Sequence, residues 1–133
     1  MATKHTKLNW NPEEKFSLKD SSDYKVIMKP NGVSASDLLS MALIGCSSHD
    51  VVGILEKQKQ DLVALNVSAE SVQDDDPPWR FRKIHIHFQV VGRGIDPEKV
   101  RKAIQISEEK YCSVYVTLKD AVEITHDFEV VEP

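Results

Sequence analysis

The feature that most limits how this chain can fold is a helical stretch with almost no polar side. Between Leu38 and Gln60 stand Leu38, Leu39, Met41, Ala42, Leu43, Ile44, Val51, Val52, Ile54 and Leu55, and as far as Cys46 the apolar positions surround the helix axis instead of forming one stripe. Such a half-helix must be enclosed on most sides. A chain of 133 residues has little bulk for that, which points to help from a partner subunit. Ser34-Ala35-Ser36-Asp37, with a hydroxyl three residues ahead of a carboxylate, predicts the helix start. The charge-free apolar run from Leu38 to Cys46 is only nine positions, against the roughly 20 residues of a bilayer span, so no membrane helix is expected.

Around this helix the sequence predicts sheets. From Leu8 to Lys29 short alternating segments are separated by Asn11-Pro12 and Asp20-Ser21-Ser22-Asp23, which reads as two or three strands in a meander or hairpin. Leu65, Val67 and Ala69 alternate with Asn66, Ser68 and Glu70 in a half-buried strand, and Gln73 to Pro78 is an acidic, solvated turn. From Phe81 to Val91 the residues Ile84, Ile86, Phe88 and Val90 face one way and Lys83, His85, His87 and Gln89 the other. Asp96-Pro97-Glu98 opens a second helix whose inner stripe, Val100, Ala103, Ile104 and Ser107, carries it to about Lys110. Cys112 to Leu118 fits either a strand or a short helix, and Ala121 to Val131 is a last strand. The fold class is α+β, in one domain spanning residues 1–133.

Composition narrows the partners. With 17 Lys+Arg against 21 Asp+Glu the net charge is −4, which argues against nucleic acid or anionic membrane as a partner. The first nineteen residues lack the apolar core of a secretory signal, and two cysteines are too few for a disulfide scaffold, so a cytoplasmic, reducing location is expected. If the cysteines matter, they matter as reactive thiols.

Cys46 lies about two and a half turns into the long helix within Gly45-Cys46-Ser47-Ser48. Read alone it is a small buried hydrophobe, yet the polar cluster fits a pocket floor, and Gly45 predicts close approach of another segment or a ligand. Cys112 is either a packed thiol or, at the start of a short helix, a thiol acidified by free backbone N–H groups; on local grounds it is the better thiolate. Sequence distance leaves open whether the two sulfurs meet. His49 shares a helix face with Cys46 and could take its proton, or it is a plain surface polar residue; Asp50 follows it. His85 and His87 could chelate a metal if carboxylates or thiols converged on them, but read as a solvent-facing stripe. The sequence contains no GxxxxGK[ST], GxGxxG or GxSxG, so nucleotide and serine-hydrolase chemistries have no support.

Ser36-Asp37-Leu38-Leu39-Ser40-Met41-Ala42-Leu43-Ile44-Gly45-Cys46, continuing to Leu55, and the later Ser107-Glu108-Glu109-Lys110-Tyr111-Cys112-Ser113-Val114 resemble the OsmC/Ohr family of osmotically induced and organic-hydroperoxide-resistance proteins. The resemblance runs through essentially the whole chain. It implies the order β-β-β-α-β-β-α-α-β, hence a short helix after Cys112, in an intertwined homodimer whose long central helices are wrapped by antiparallel sheets. It also implies thiol peroxidase chemistry: Cys46 attacks the peroxide, and Cys112 resolves the sulfenic acid to a disulfide that an external dithiol reopens. That assignment runs against the local argument for Cys112 and is the one adopted. The family's peroxidases polarise the site with an Arg from the first sheet and a Glu near the start of the long helix. Here no Arg precedes Arg80, and the Glu position falls on Ser36 beside Asp37. Lys15, Lys25 or His49 could stand in for the Arg, although Lys lacks its bidentate geometry.

The function expected is therefore reduction of hydroperoxides, organic ones above all, by a homodimer without cofactor or metal. The alternatives are a non-enzymatic protein that binds a small ligand or senses redox state through the same pocket, and, more remotely, a metal site built from Cys46, His49 and Cys112.

Overall fold

Asn11 and Asp20 close the turns of the first sheet. The Asn11 side chain accepts from the N–H groups of Glu13 and Glu14 at 3.0 and 2.7 Å, and Asp20 from those of Ser22 and Tyr24 at 2.8 and 2.9 Å. Between these turns β1 (Lys7–Asn11), β2 (Lys15–Lys19) and β3 (Lys25–Ile27) form an antiparallel meander in that order. The computed structural model describes residues 1–133, which divide into two compact units, Met1–Leu39 and Ser40–Pro133. In the first unit this sheet buries little of its own apolar surface, and Trp10 and Tyr24 remain 54% and 74% exposed. The unit ends in the first turn of α1 (Ala35–Lys57), where the Asp37 N–H donates to Ser34 Oγ at 3.1 Å, the cap anticipated from Ser34-Ala35-Ser36-Asp37.

The second unit is a sheet with helices packed on one face. β4 (Asp61–Gln73) runs antiparallel to β5 (Phe81–Arg93) with Val67 opposite Phe88, and a bulge between Leu62 and Ala64 turns Val63 outward. Ile84, Ile86, Phe88 and Val90 of β5 are buried, as their alternation predicts. They pack with Leu43, Val51 and Leu55 of α1 and with Val100, Ala103 and Ile104 of α2 (Pro97–Ile106). Asp96 caps α2 by accepting the Glu98 N–H at 3.0 Å, with Pro97 at the first helical position. The chain then makes a single π-helical turn (Ser107–Tyr111), the short helix α3 (Ser113–Leu118) and β6 (Glu123–Val131). This is the expected α+β order.

Three local expectations change. The second helix leaves α geometry at Ile106 instead of near Lys110, because the Cys112 N–H reaches back to the Ser107 carbonyl, 2.8 Å away, and closes a wider ring. The second sheet is mixed, not antiparallel throughout. β6 returns parallel to β5, in register Phe88 with Phe128, since α2, the π-turn and α3 form a crossover long enough to bring the chain back in the same direction. Finally, α1 has 23 residues and a mean hydropathy of 1.6 over its most apolar window, enough by length and composition to cross a membrane, which counting only to Cys46 understates. Only its stripe Leu43, Ser47, Val51 and Leu55 is buried against the protein's own side chains, and 22% of that window is buried within the single chain.

Candidate functional site

Cys46 and Asp50 are four residues apart on α1 and therefore share a face. The π-turn lays two side chains against that face. Ser107 Oγ donates to Asp50 Oδ2 at 2.8 Å, and five residues later the chain delivers Cys112. Cys46 Sγ, a carboxylate oxygen of Asp50 and Cys112 Sγ all lie within 4.8 Å of one another. Both thiols are free, Cys46 half-buried and Cys112 only 2% exposed. The Cys112 sulfur accepts from Ser47 Oγ at 3.7 Å and, as N-cap of α3, from the Tyr115 N–H at 3.4 Å.

The Tyr115 N–H meets the expectation that backbone N–H groups would face Cys112, but together with the Ser47 hydroxyl it does not make Cys112 an acidified thiol. Burial pushes the Cys112 thiol up, the adjoining Cys46 pushes the same way, and the Tyr115 N–H and Ser47 hydroxyl offset them only in part. Local sequence shows the donors and hides the burial. Cys112 is thus held as a neutral thiol.

A second layer fixes the π-turn. Glu108 accepts from His126 Nδ1 of β6 at 2.7 Å, and the His126 ring stands edge-on to Phe88, with centroids 6.3 Å apart. Neither Glu108 nor His126 carried a role in the sequence reading. The signal was there in β6, where His126 interrupts the apolar alternation of Ile124, Phe128 and Val130. The Glu108 hydrogen bond raises the His126 pKa above its usual 6.5, with burial opposing and Asp127 adding to the rise. A raised folded value means stabilisation that is complete below about pH 6.5 and lost as pH climbs through the folded pKa. With the side chain 31% exposed, urea unfolding should lose about 0.5–1 kcal/mol over that rise. His126→Gln should flatten this part of the profile; an unchanged slope would show that the pair contributes nothing.

His49 is exposed beside the cluster, where it borders a groove of about 480 Å³ lined by Gly45, Val52, Gly53 and Leu65. A second groove of about 430 Å³, lined by His49, Asp50, Ile54, Ile106 and Tyr111, opens onto Asp50. The donor that converges with the sulfurs is Asp50, so the three-donor set imagined with His49 is replaced by Cys46, Asp50 and Cys112. Nothing in this chain lies within 4 Å of where a Cβ would stand on Gly45, so the close approach it predicts is not made by the chain itself. Ser36 and Asp37 occupy the first turn of α1 in the other unit. His85 and His87 form the anticipated outer stripe of β5, both hydrogen-bonded to Asp127, at 3.1 and 2.8 Å.

Residues 28–127 match the OsmC-like protein family. The chain belongs to the OsmC-like family. Protein YhfA of Escherichia coli strain K12 is 37% identical over 129 residues, covering 94% of this chain and 96% of that one. Among solved structures, a hypothetical protein from Aquifex aeolicus VF5 superposes with a TM-score of 0.88 at 26% identity, covering 100% of this chain and 99% of the other. The organic hydroperoxide resistance protein OhrB of Bacillus subtilis superposes with a TM-score of 0.62 at 13% identity over 96% and 98% of the two chains, a likeness of fold alone. Within the OsmC-like fold, then, the two cysteines of this chain stand side by side.

Proposed function

We propose that this OsmC-like protein is a thiol peroxidase that reduces organic hydroperoxides. The observation that carries the reading is the pairing of a partly open Cys46 with a buried Cys112 whose sulfur lies within 4.8 Å. Cys46 thiolate attacks the terminal peroxide oxygen, the O–O bond breaks, that oxygen stays on sulfur with its hydrogen as a sulfenic acid, and the departing alkoxide takes a proton from water to leave as the alcohol. Cys112 then displaces water from that sulfur to form a disulfide, and an external dithiol reduces it. Held protonated at first, Cys112 does not compete for the peroxide, and its proton leaves with the sulfenic hydroxyl as water when the disulfide forms. The neighbouring groove, where Gly45, Val52, Gly53 and Leu65 stand with Ser48, His49 and Glu56, offers apolar wall for a hydrocarbon substituent that hydrogen peroxide lacks. Cumene hydroperoxide added to chelator-treated, reduced protein should yield a Cys46–Cys112 disulfide detectable by mass spectrometry. Finding neither that disulfide nor a Cys46 sulfenic acid refutes the reading.

The working form is a homodimer, with residues 1–133 acting as one domain: α1 begins in the first unit and ends in the second. Two features support a second copy. The α1 surface away from Leu43, Val51 and Leu55 stays apolar and open at Met41, Gly45 and Gly53, and the first sheet leaves Leu8, Trp10 and Phe16 uncovered. Sedimentation equilibrium should give twice the chain mass of 15.0 kDa. Gly45→Leu meets open space within the chain, so it should leave each protomer folded and weaken the pair by roughly tenfold. A 15.0 kDa species at micromolar concentration would end the proposal.

A further inference from the structure

Two thiols and a carboxylate within 4.8 Å of one another make an anionic donor set, and the groups that hydrogen-bond to it, the Ser107 and Ser47 hydroxyls and the Tyr115 N–H, are all uncharged. We propose that Cys46, Asp50 and Cys112 form a binding site for a divalent, thiophilic cation of the zinc class. Zinc prefers four donors in tetrahedral array at about 2.3 Å for sulfur and 2.0–2.2 Å for oxygen, which places the donors roughly 3.3–3.8 Å apart. The donor atoms lie within 4.8 Å of one another, so no pair has to close by more than about 1.5 Å to reach that spacing. Three protein donors leave the fourth position to water.

Two further observations point the same way. Two of the three donor residues already have outer hydrogen bonds of the kind that orient metal ligands: Ser107 Oγ donates to Asp50 Oδ2 at 2.8 Å, and two donors are directed at the Cys112 sulfur. Entry is also open, because the groove of about 430 Å³ reaches Asp50 and another of about 290 Å³, lined by Tyr111, Ser113 and Val116, reaches Cys112. A dication would offset the Asp50 charge and bind both sulfurs as thiolates, releasing their protons to solvent. Bound metal withholds the thiol pair from oxidants. That regulatory consequence rests on the peroxidase reading; the binding itself does not.

The test uses reduced, full-length protein without any peroxide, so it stands apart from the disulfide assay on metal-free protein. Titrated with cobalt(II), the protein should bind one ion per chain, with an intense near-ultraviolet sulfur-to-cobalt band that zinc abolishes by displacement. Cys46→Ser and Cys112→Ser should each weaken that band and the affinity by more than about tenfold, and Asp50→Asn and Ser107→Ala by roughly tenfold. His49→Ala should bind as the wild type does. Zinc should also slow iodoacetamide alkylation of Cys46 by about tenfold, with recovery on adding a chelator. Wild-type protein that fails to bind cobalt, binds it without a thiolate band, or binds it equally well as Asp50→Asn overturns the proposal, and the wild-type result does so whether or not the variants fold.

Discussion

Cys46→Ser is expected to lower hydroperoxide turnover by more than about a hundredfold with the fold unchanged. Serine is nearly the size of cysteine, and Cys46 is half-buried on a helix whose packing stripe is formed by Leu43, Ser47, Val51 and Leu55, so little packing is lost. What disappears is the nucleophile, because an alcohol neither ionises near neutral pH nor expands its valence to accept peroxide oxygen. Cys112→Ser separates the two half-reactions. It should still consume one equivalent of cumene hydroperoxide per chain, then stall, with Cys46 carrying one added oxygen and, on longer exposure, more. Peroxide loss and intact-protein mass should be followed together, so that a single turnover is resolved. Full turnover in Cys46→Ser would remove Cys46 from the chemistry; full turnover in Cys112→Ser would remove the disulfide step.

Phe88→Ala should cost about 3–5 kcal/mol, measured as a lower urea midpoint at constant slope. Phe88 is 1% exposed at the middle of β5, where Val67 of β4 and Phe128 of β6 stand opposite it, and it packs in the cluster with the α1 and α2 stripes. A domain holds only about 5–15 kcal/mol in all, so the variant approaches the limit of folding. The same ring supports the edge of His126, which holds Glu108 of the π-turn. Removing it should therefore also broaden the pH dependence assigned to His126.

Residue pattern revealed the framework in proportion to how local the governing force is. The β5 face was legible because every second residue from Ile84 to Val90 is apolar, and the α2 start because Asp96 and Pro97 act on their nearest neighbours. The helix after Cys112 was not legible from alternation; the family resemblance supplied it. The parallel return of β6 depends on a crossover of nearly thirty residues, from Gly94 to Val122, and no dipeptide encodes that. At the site, both cysteines stood out by chemistry. Asp50 was overshadowed by His49, one residue away, since only three-dimensional placement shows which of the two looks toward the sulfurs. The ionisation of Cys112 went the other way from its local donors because burial is a property of the whole fold.

The wide ring between Ser107 and Cys112 sets the rotational phase of everything after it. Deleting one residue among Glu108, Glu109 and Lys110 would let that ring relax to ordinary helix, yet it would advance the following segment by about 100° around the axis. The Cys112 sulfur would then swing out of line with Cys46 while the amino-acid types at the site stayed the same. The alignment of the two sulfurs is therefore carried by the length of a segment that contributes neither of them, and loss of a single codon there should undo the pairing as surely as loss of a cysteine.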